Sequence, residues 1–479
     1  MARRTKIIAT IGPASDDPQT LRRMVDSGMD VARIALAHGS LGDAIARARR
    51  VKEVGREAGR PIGILIDLPG PKVRLGAFPD GGAVLESGST LVLRPGVEQS
   101  TSTTLGVDYE SLLADVHPGD SLAIGDGTVR LLVTSVDGEY AKAEVTSGGA
   151  VQGRPGLHVP SDRLTISTPT ADDLYKLDAF IEEGIDMVAV SFVRSAHDIR
   201  RVGTEPYPRG PLVIAKIETR AAVENLEGII NASGAVMVAR GDLGIEMGIE
   251  ELPHLQKKII RDCISLGRPV ITATQMLESM IHSATPTRAE VSDIANAIFD
   301  GTSAVMLSAE TAIGVDPVAA VSTMCRVSER ADAEFDYEGW AKRLRGLRSA
   351  VGDGDARITD AMTGAAWRAA TEMGASAIIC ISDSGFTVRS IARFRPAMPI
   401  LGFSPNPRTV GQLTLSWGTT PLIGPSGVDS LDTMDGLVTS ARDQGLVRTG
   451  DLVAVLAGAG TTPGARGHAT DLLRLVRVP

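Results

Sequence analysis

This chain has little to stack and little to crosslink. Aromatic residues are 3% of its 479 residues, and it has three cysteines and seven histidines. With so few rings, Val, Ile, Leu and Ala must fill the core. Cys263, Cys325 and Cys380 are odd in number and far apart, which excludes a disulfide framework and fits a reducing compartment. No cysteine has a CxxC partner and the histidines do not cluster, which argues against zinc. No run reaches the ~18 apolar residues of a membrane span. After Met1-Ala2-Arg3-Arg4-Thr5-Lys6 the apolar stretch is Ile7 to Ile11, too short for a signal-peptide core. Positive charge is also in deficit, 49 Lys and Arg against 58 Asp and Glu, a formal net charge of −9. That argues against nucleic acid as the main partner and leaves room for a local basic cleft. The expectation is a cytoplasmic protein with neither nucleic-acid nor membrane partners. Its length, with 43% hydrophobic and 22% charged residues, describes an ordinary globular chain of two to four domains.

What is present is a series of short apolar runs, each followed by a helix-like segment. They are Lys6–Gly12, Val31–Leu36, Ile62–Asp67, Met187–Phe192, Val213–Glu218, Ala235–Arg240, Pro269–Thr274 and Ser303–Ser308. Segments such as Leu21–Ser27, Ala171–Glu183 and Glu290–Phe299 carry helical periodicity between them. Eight β-α units in series predict an α/β fold, a (β/α)8 TIM barrel, with its chemistry at the C-terminal ends of the strands. Arg33, Asp67, Arg194, Lys216, Glu218, Asp242, Thr274 and Glu310 all fall at or just beyond those ends.

The spacing exposes an insertion. Lys216 to Asp242 is 26 residues and Arg33 to Asp67 is 34, but Asp67 to Ser191 is 124. The surplus of roughly 90 residues is a small domain by size. It is Gly-rich with short alternating segments, which predicts a β-barrel-like insert over 70–168, placed as a lid on the catalytic end. The barrel then spans 1–69 and 169–340. A polar segment from Ala341 to Arg357 reads as a linker. From 357 to 479 the β-α alternation restarts as a C-terminal open α/β domain of regulatory type. There Ser382, Ser384, Gly385 and Thr387 lie in a loop before a helix, either an anion-binding effector loop or plain helix capping. Gly458-Ala459-Gly460 reads as a loop.

Two of the runs carry the chemistry. Lys216 and Glu218 are two apart and share a face. Asp242 follows Glu218 by 24 residues, the length of one β-α-β step. Two carboxylates and an ammonium therefore converge, which suits Mg²⁺ and a substrate with several anionic oxygens. The alternative is a structural ion pair at the rim.

Long motifs resemble those of the pyruvate kinase family over nearly the whole chain. They are Thr5–Ser15, Met237–Glu246, Ala273–Met280, Pro286–Glu290 and Met306–Ala312. The resemblance implies phosphoryl transfer between phosphoenolpyruvate and ADP, giving pyruvate and ATP, with Mg²⁺ or Mn²⁺ as cofactor and a homotetrameric assembly. It implies Glu218 and Asp242 as metal ligands, and Lys216 as the group that neutralises the transferring phosphoryl. It implies Arg33 on the substrate phosphate, and Gly241 with Asp242 on the substrate carboxylate. Thr274 resembles the hydroxyl near the enolate carbon, and Arg74, His38 and Arg154 fall on the nucleotide side. Arg194 reads as a rim or subunit contact, and Gln275–Met280 as core. Glu310 is either a site carboxylate or a helix-entry one.

The chain departs from the family at Ala35 and Ala37, where side-chain oxygens are usual, and at Leu68, where Asp67 would be followed by Thr. Those oxygens hold K⁺ in members that use it. Lys72 stands where K⁺-dependent members tend to have Glu, so an internal ammonium is expected to replace the ion and K⁺ not to be required. Pro155 replaces a nucleotide-contacting Lys. Ala35 and Pro155 leave two alternatives open: a paralogue with another phosphoryl acceptor, or a non-catalytic metabolite sensor.

Overall fold

The computed structural model describes residues 3–347, 355–425, 431–458 and 469–479. Eight parallel strands close into a barrel in chain order: Lys6–Thr10, Val31–Ala35, Gly63–Leu68, Met187–Val190, Leu212–Ile217, Ala235–Ala239, Val270–Ala273 and Ala304–Leu307. Strands buried on both faces need uninterrupted apolar runs, and those runs are what the sequence supplied. With aromatics scarce, the interior is filled by aliphatic side chains and methionine, among them Ile8, Leu65, Met187, Ile214, Met237 and Met306. The outer faces pack under the helices in a second, larger cluster. The Pro286–Glu290 motif is a helix start: Thr287 and Glu290 form a capping box on the helix Arg288–Phe299.

Between Leu68 and the helix Ala171–Glu182 the chain builds a separate β structure. A six-stranded sheet orders the strands Leu157–His158, Ser121–Ile124, Val129–Val136, Ala141–Ser147, Thr90–Pro95 and Thr104–Val107. Its two edges are joined by the chain leaving the barrel. Leu75 N–H donates to Pro155 on one side, and Asp108 N–H donates to the Arg74 carbonyl on the other, both at 2.9 Å. The insert has its own core, centred on residues such as Leu75, Leu93, Leu122 and Leu131.

One expectation is corrected. Ala341 to Arg357 is not a linker throughout: a helix runs Tyr337–Leu347 and another begins at Asp355. Trp340, Ala341 and Leu344 fall on one helical face and pack on the core, which the charged residues between them concealed. Residues 348–354 of that segment lie outside the described residues. So do Ala459 and Gly460 of the expected Gly458–Gly460 loop.

The C-terminal sheet orders Thr419–Ile423, Ile400–Ser404, Ala377–Ile381, Leu452–Ala457 and Leu472–Arg477, the last antiparallel. It docks against the barrel's N-terminal end, where Leu415 joins the barrel's inner cluster. The approach is close. A Cβ on Gly63 would come 2.2 Å from Thr414 Oγ1, and one on Gly411 would come 2.1 Å from Asp186 Oδ1. Among the described residues, no helix is long and apolar enough to cross a membrane.

Candidate active site

The strand order brings the charged ends of the third, fifth and sixth barrel strands to one rim. Lys216 Nζ lies 2.7 Å from Ser191 Oγ, 3.3 Å from Glu218 Oε2 and 3.6 Å from Asp67 Oδ1. Asp242, in the first turn of the helix Arg240–Met247, acts on the charge of both Lys216 and Glu218. Burial alone would push the Lys216 ammonium down. Asp67, Glu218 and Asp242 outweigh burial and hold it above its ordinary pKa.

Arg33 completes the cluster. Its Nε and Nη2 each lie 2.7 Å from Asp67 Oδ2, and its Nη1 donates to Thr10 Oγ1 at 2.9 Å. Burial raises the Asp67 carboxyl, but Lys216 and Arg33 overcome it and keep the group below the usual carboxylate range. Glu218 goes the other way: burial, joined by the neighbouring carboxylates, raises it despite Lys216.

Glu218 is wholly buried. Its Oε1 accepts the Phe192 N–H at 2.7 Å, while Oε2 takes no hydrogen bond and has the Lys216 ammonium beside it at 3.3 Å. An anionic oxygen that takes no hydrogen bond, with one ammonium and a second carboxylate near it, fits a hard dication. Among the described residues no group of three or more His, Cys, Asp or Glu could hold a metal. Two carboxylates are nonetheless what Mg²⁺ takes when substrate and water supply the rest.

Thr274 sits at φ +66°, a left-handed conformation rare for a β-branched residue. Its Oγ1 donates to the Ala273 carbonyl at 2.7 Å and accepts the Gly241 N–H at 2.9 Å. The Gly241 donor is thus engaged by Thr274 rather than open. Arg240 holds this turn. Its guanidinium donates to the Thr274 carbonyl at 2.6 Å and the Gln275 carbonyl at 3.0 Å, and pairs with Asp293 at 2.6 Å. Sequence reasoning missed Arg240, Ser191 and Thr10 as parts of the site. A buried arginine abutting an apolar run was the available signal for the first. For the other two it was a hydroxyl at a strand end.

His38, Lys72, Arg74, His158, Phe192 and Asp242 line a cleft of about 740 Å³. Partial burial, then Arg74, Lys72 and Arg33, lower the His38 pKa. Arg154 does not join this lining: its guanidinium pairs with Asp108 at 3.1 Å, and its carbonyl meets Arg74 Nη1 at 3.4 Å. The insert is tied to the barrel at Glu246, which bonds His158 Nε2 at 2.8 Å and accepts the Ser161 hydroxyl.

The remaining expected residues have structural partners. Arg194 donates to the carbonyls of Leu164 and Ile166 at 2.8 and 3.0 Å, a rim contact within the chain. Glu310 is buried and accepts the Leu277 and Ser308 N–H groups at 3.1 and 2.6 Å, the helix-entry role. Met276, Leu277 and Met280 are core. In the expected effector loop, Gly385 is the helix N-cap at φ +73°, with no side-chain capping bond. Ser384 Oγ accepts the Phe386 N–H at 3.4 Å, the Ser382 N–H donates to the Phe403 carbonyl at 3.0 Å, and Thr387 bonds Thr470.

Comparison with known proteins covers nearly the whole chain. The family model described as "Pyruvate kinase, barrel domain" matches residues 2–321, and that described as "Pyruvate kinase, alpha/beta domain" matches residues 360–476. A pyruvate kinase of Methylorubrum extorquens is 39% identical, covering 100% of this chain and 98% of its own length. One of Corynebacterium glutamicum is 38% identical over 98% of this chain and 96% of its own, and one of Mycobacterium tuberculosis is 37% identical over 100% and 99%.

Proposed function

The chain belongs to the pyruvate kinase family, and from that premise we propose that it transfers phosphoryl from phosphoenolpyruvate to ADP, with uptake of a proton, giving pyruvate and ATP. The observation that carries this reading is the convergence of Lys216, Glu218 and Asp242 beside Arg33, with one buried Glu218 oxygen paired to Lys216 and taking no hydrogen bond.

Phosphoryl transfer requires charge neutralisation and in-line positioning more than covalent help. Arg33 is held rigid by Asp67 and Thr10, and keeps further N–H donors for the substrate phosphate. Lys216 stays protonated and faces the transferring phosphoryl. Mg²⁺ or Mn²⁺, held by Glu218 and Asp242, would supply Lewis-acid neutralisation of phosphate and enolate oxygens. The helix start at Gly241 and Asp242 presents N–H groups to the substrate carboxylate, with the Thr274 hydroxyl exchanging its Gly241 contact as substrate enters. Thr274 then lies beside the enolate carbon that gains the proton. Arg74 and His38 take the nucleotide side, with Arg154 released from Asp108. Lys72, exposed at the cleft mouth beside His38, supplies the positive charge that K⁺ brings elsewhere, so the enzyme is K⁺-independent. Ser382, Ser384, Gly385 and Thr387 form the effector loop. The enzyme works in the cytoplasm as a homotetramer.

The test is pyruvate formation from phosphoenolpyruvate, ADP and Mg²⁺, with and without K⁺ at constant ionic strength, and with Lys216→Met as the blank. Turnover that is indifferent to K⁺ and absent in the blank is the expected result. A large stimulation by K⁺ would overturn the role given to Lys72. The Arg154–Asp108 pair and Pro155 favour one second reading, a changed phosphoryl acceptor. No turnover with ADP while phosphoenolpyruvate still binds would establish it.

A further inference from the structure

Away from the cleft, the seam between barrel and C-terminal sheet holds a small, half-open cavity lined by four arginines, Arg268, Arg389, Arg393 and Arg395, with no carboxylate in its wall. Arg389, Arg393 and Arg395 are 2%, 2% and 1% exposed. A charge taken that far from water costs several kcal/mol unless it is paired. Arg393 has Asp360 as its partner. Arg395 spends its terminal nitrogens on the Ala392 and Gly301 carbonyls and on Ser303 Oγ, and lies over the Trp417 ring at 4.7 Å. Arg389 donates one Nη to the Ser384 carbonyl at 2.8 Å and lies over Tyr207 at 4.7 Å. That leaves Arg389 Nε and Nη1, Arg395 Nε and the Ser416 hydroxyl buried with no hydrogen-bond partner. Burial pushes Arg395 down to about 9 against the opposing pull of Asp332 and Tyr337, and lowers Arg389 against that of Tyr207.

We infer that this seam cavity is a binding site for a compact inorganic oxyanion of the phosphate or sulfate class, bridging the barrel and the C-terminal sheet. Guanidinium donors from two sides and a free hydroxyl match the oxygens of such an ion, and four cations with no carboxylate in the wall repel metal ions and amines. Size narrows the class. The space is about 220 Å³ counting its open mouth, and its interior is no wider than a small ion or a water. A nucleotide or sugar phosphate does not fit, whereas a single tetrahedral ion needs small turns of flexible guanidinium groups. The site spans the seam. Arg268 and Ser303 directly precede the barrel segments Pro269–Ala273 and Ala304–Leu307, while Arg389 lies on the helix Phe386–Ala392. A bound ion therefore holds two sheets together, and it stabilises the folded chain by mass action. The inference does not depend on the reaction proposed above.

The test uses the full chain carrying Arg33→Gln, so that phosphate bound in the active-site cleft does not mask the seam. Melting temperature and calorimetric titration are measured with potassium phosphate or sulfate against potassium gluconate, a bulky anion, at equal ionic strength. A saturable rise in melting temperature with phosphate or sulfate and none with gluconate is expected, with affinity at least tenfold weaker in Arg389→Met. Crystals grown without oxyanions and soaked in tungstate are expected to show an anomalous peak among the four arginines. Should Arg389→Met fail to fold, Ser416→Ala and the tungstate peak decide. Phosphate affinity unchanged in Arg389→Met or Ser416→Ala, or tungstate bound only elsewhere, would overturn the site.

Discussion

The two ends of the barrel bury charge in opposite ways. At the C-terminal rim, Asp67 is buried between Arg33 and Lys216, and the cations win: the carboxyl is held below its usual range. At the N-terminal end, Asp186 is buried beneath Gly411 of the C-terminal domain. Its Oδ2 accepts the Ile64 N–H at 2.8 Å, with Lys52 and Arg408 acting on it weakly, and burial wins, raising it to about 7. Both are buried aspartates of the barrel, Asp67 within the strand Gly63–Leu68 and Asp186 directly before the strand Met187–Val190. What separates them is a guanidinium in contact. A rim built for an anionic substrate must gather cations. The docking seam leaves the Asp186 carboxyl without a cation in contact.

The same substitution at the two ends should therefore have opposite signs. Asp67→Asn removes the shared counter-charge of Arg33 and Lys216. Breaking a buried pair in this way costs about 3–5 kcal/mol, read as a lower denaturant midpoint at pH 7, and turnover falls with it. Because its folded pKa is depressed, the stability Asp67 contributes is present above its unfolded pKa and is lost as pH falls through the folded value. Asp186→Asn should stabilise instead. With its folded pKa raised, the native state favours the protonated form. That contribution is fully present below the unfolded value near 3.8 and is lost as pH rises through about 7. At pH 8 the variant should gain roughly 2–4 kcal/mol over the parent, and at pH 4 almost nothing. Urea melts of both variants at pH 4 and 8 check the pair. A loss at pH 8 for Asp186→Asn would mean that its carboxylate is partnered in a way this structure does not contain.

The rim was more legible in the sequence than the seam, for a physical reason. Strand-end chemistry is periodic: a polar residue closes each apolar run, and Lys216, Glu218 and Asp242 could be placed on one spot by counting. Asp186 and Arg389 stand next to apolar runs as well, but what buries them is another domain, and no local pattern announces docking. Arg240 was overlooked in a different way. It sits at the end of a run like the others, and only the strained turn it clamps explains why it points inward. The helix Tyr337–Leu347 was hidden because its apolar face is narrow and its charged residues dominate by count. The departure at Pro155 was legible, but the pairing of Arg154 with Asp108 depends on how the insert closes on itself.

Thr274 tests the rim at the smallest scale. Its φ of +66° costs a β-branched residue about 1–3 kcal/mol, which its surroundings must override. They do so through the Gly241 N–H, the Ala273 carbonyl and the grip of Arg240 on the Thr274 and Gln275 carbonyls. Glycine adopts that φ freely. Thr274→Gly should therefore recover the strain while losing side-chain hydrogen bonds worth about 1 kcal/mol each, for a net change in stability of no more than about 1 kcal/mol. If Thr274 has the role proposed above, turnover should fall far more, and Thr274→Ser should restore most of it. Parallel melts and steady-state rates separate the two effects. If Thr274→Gly lost several kcal/mol of stability, the strained turn would be a folding element of the barrel rather than a geometry kept for chemistry, and the contrast between a charge-balanced rim and an unbalanced seam would fail at its finest point.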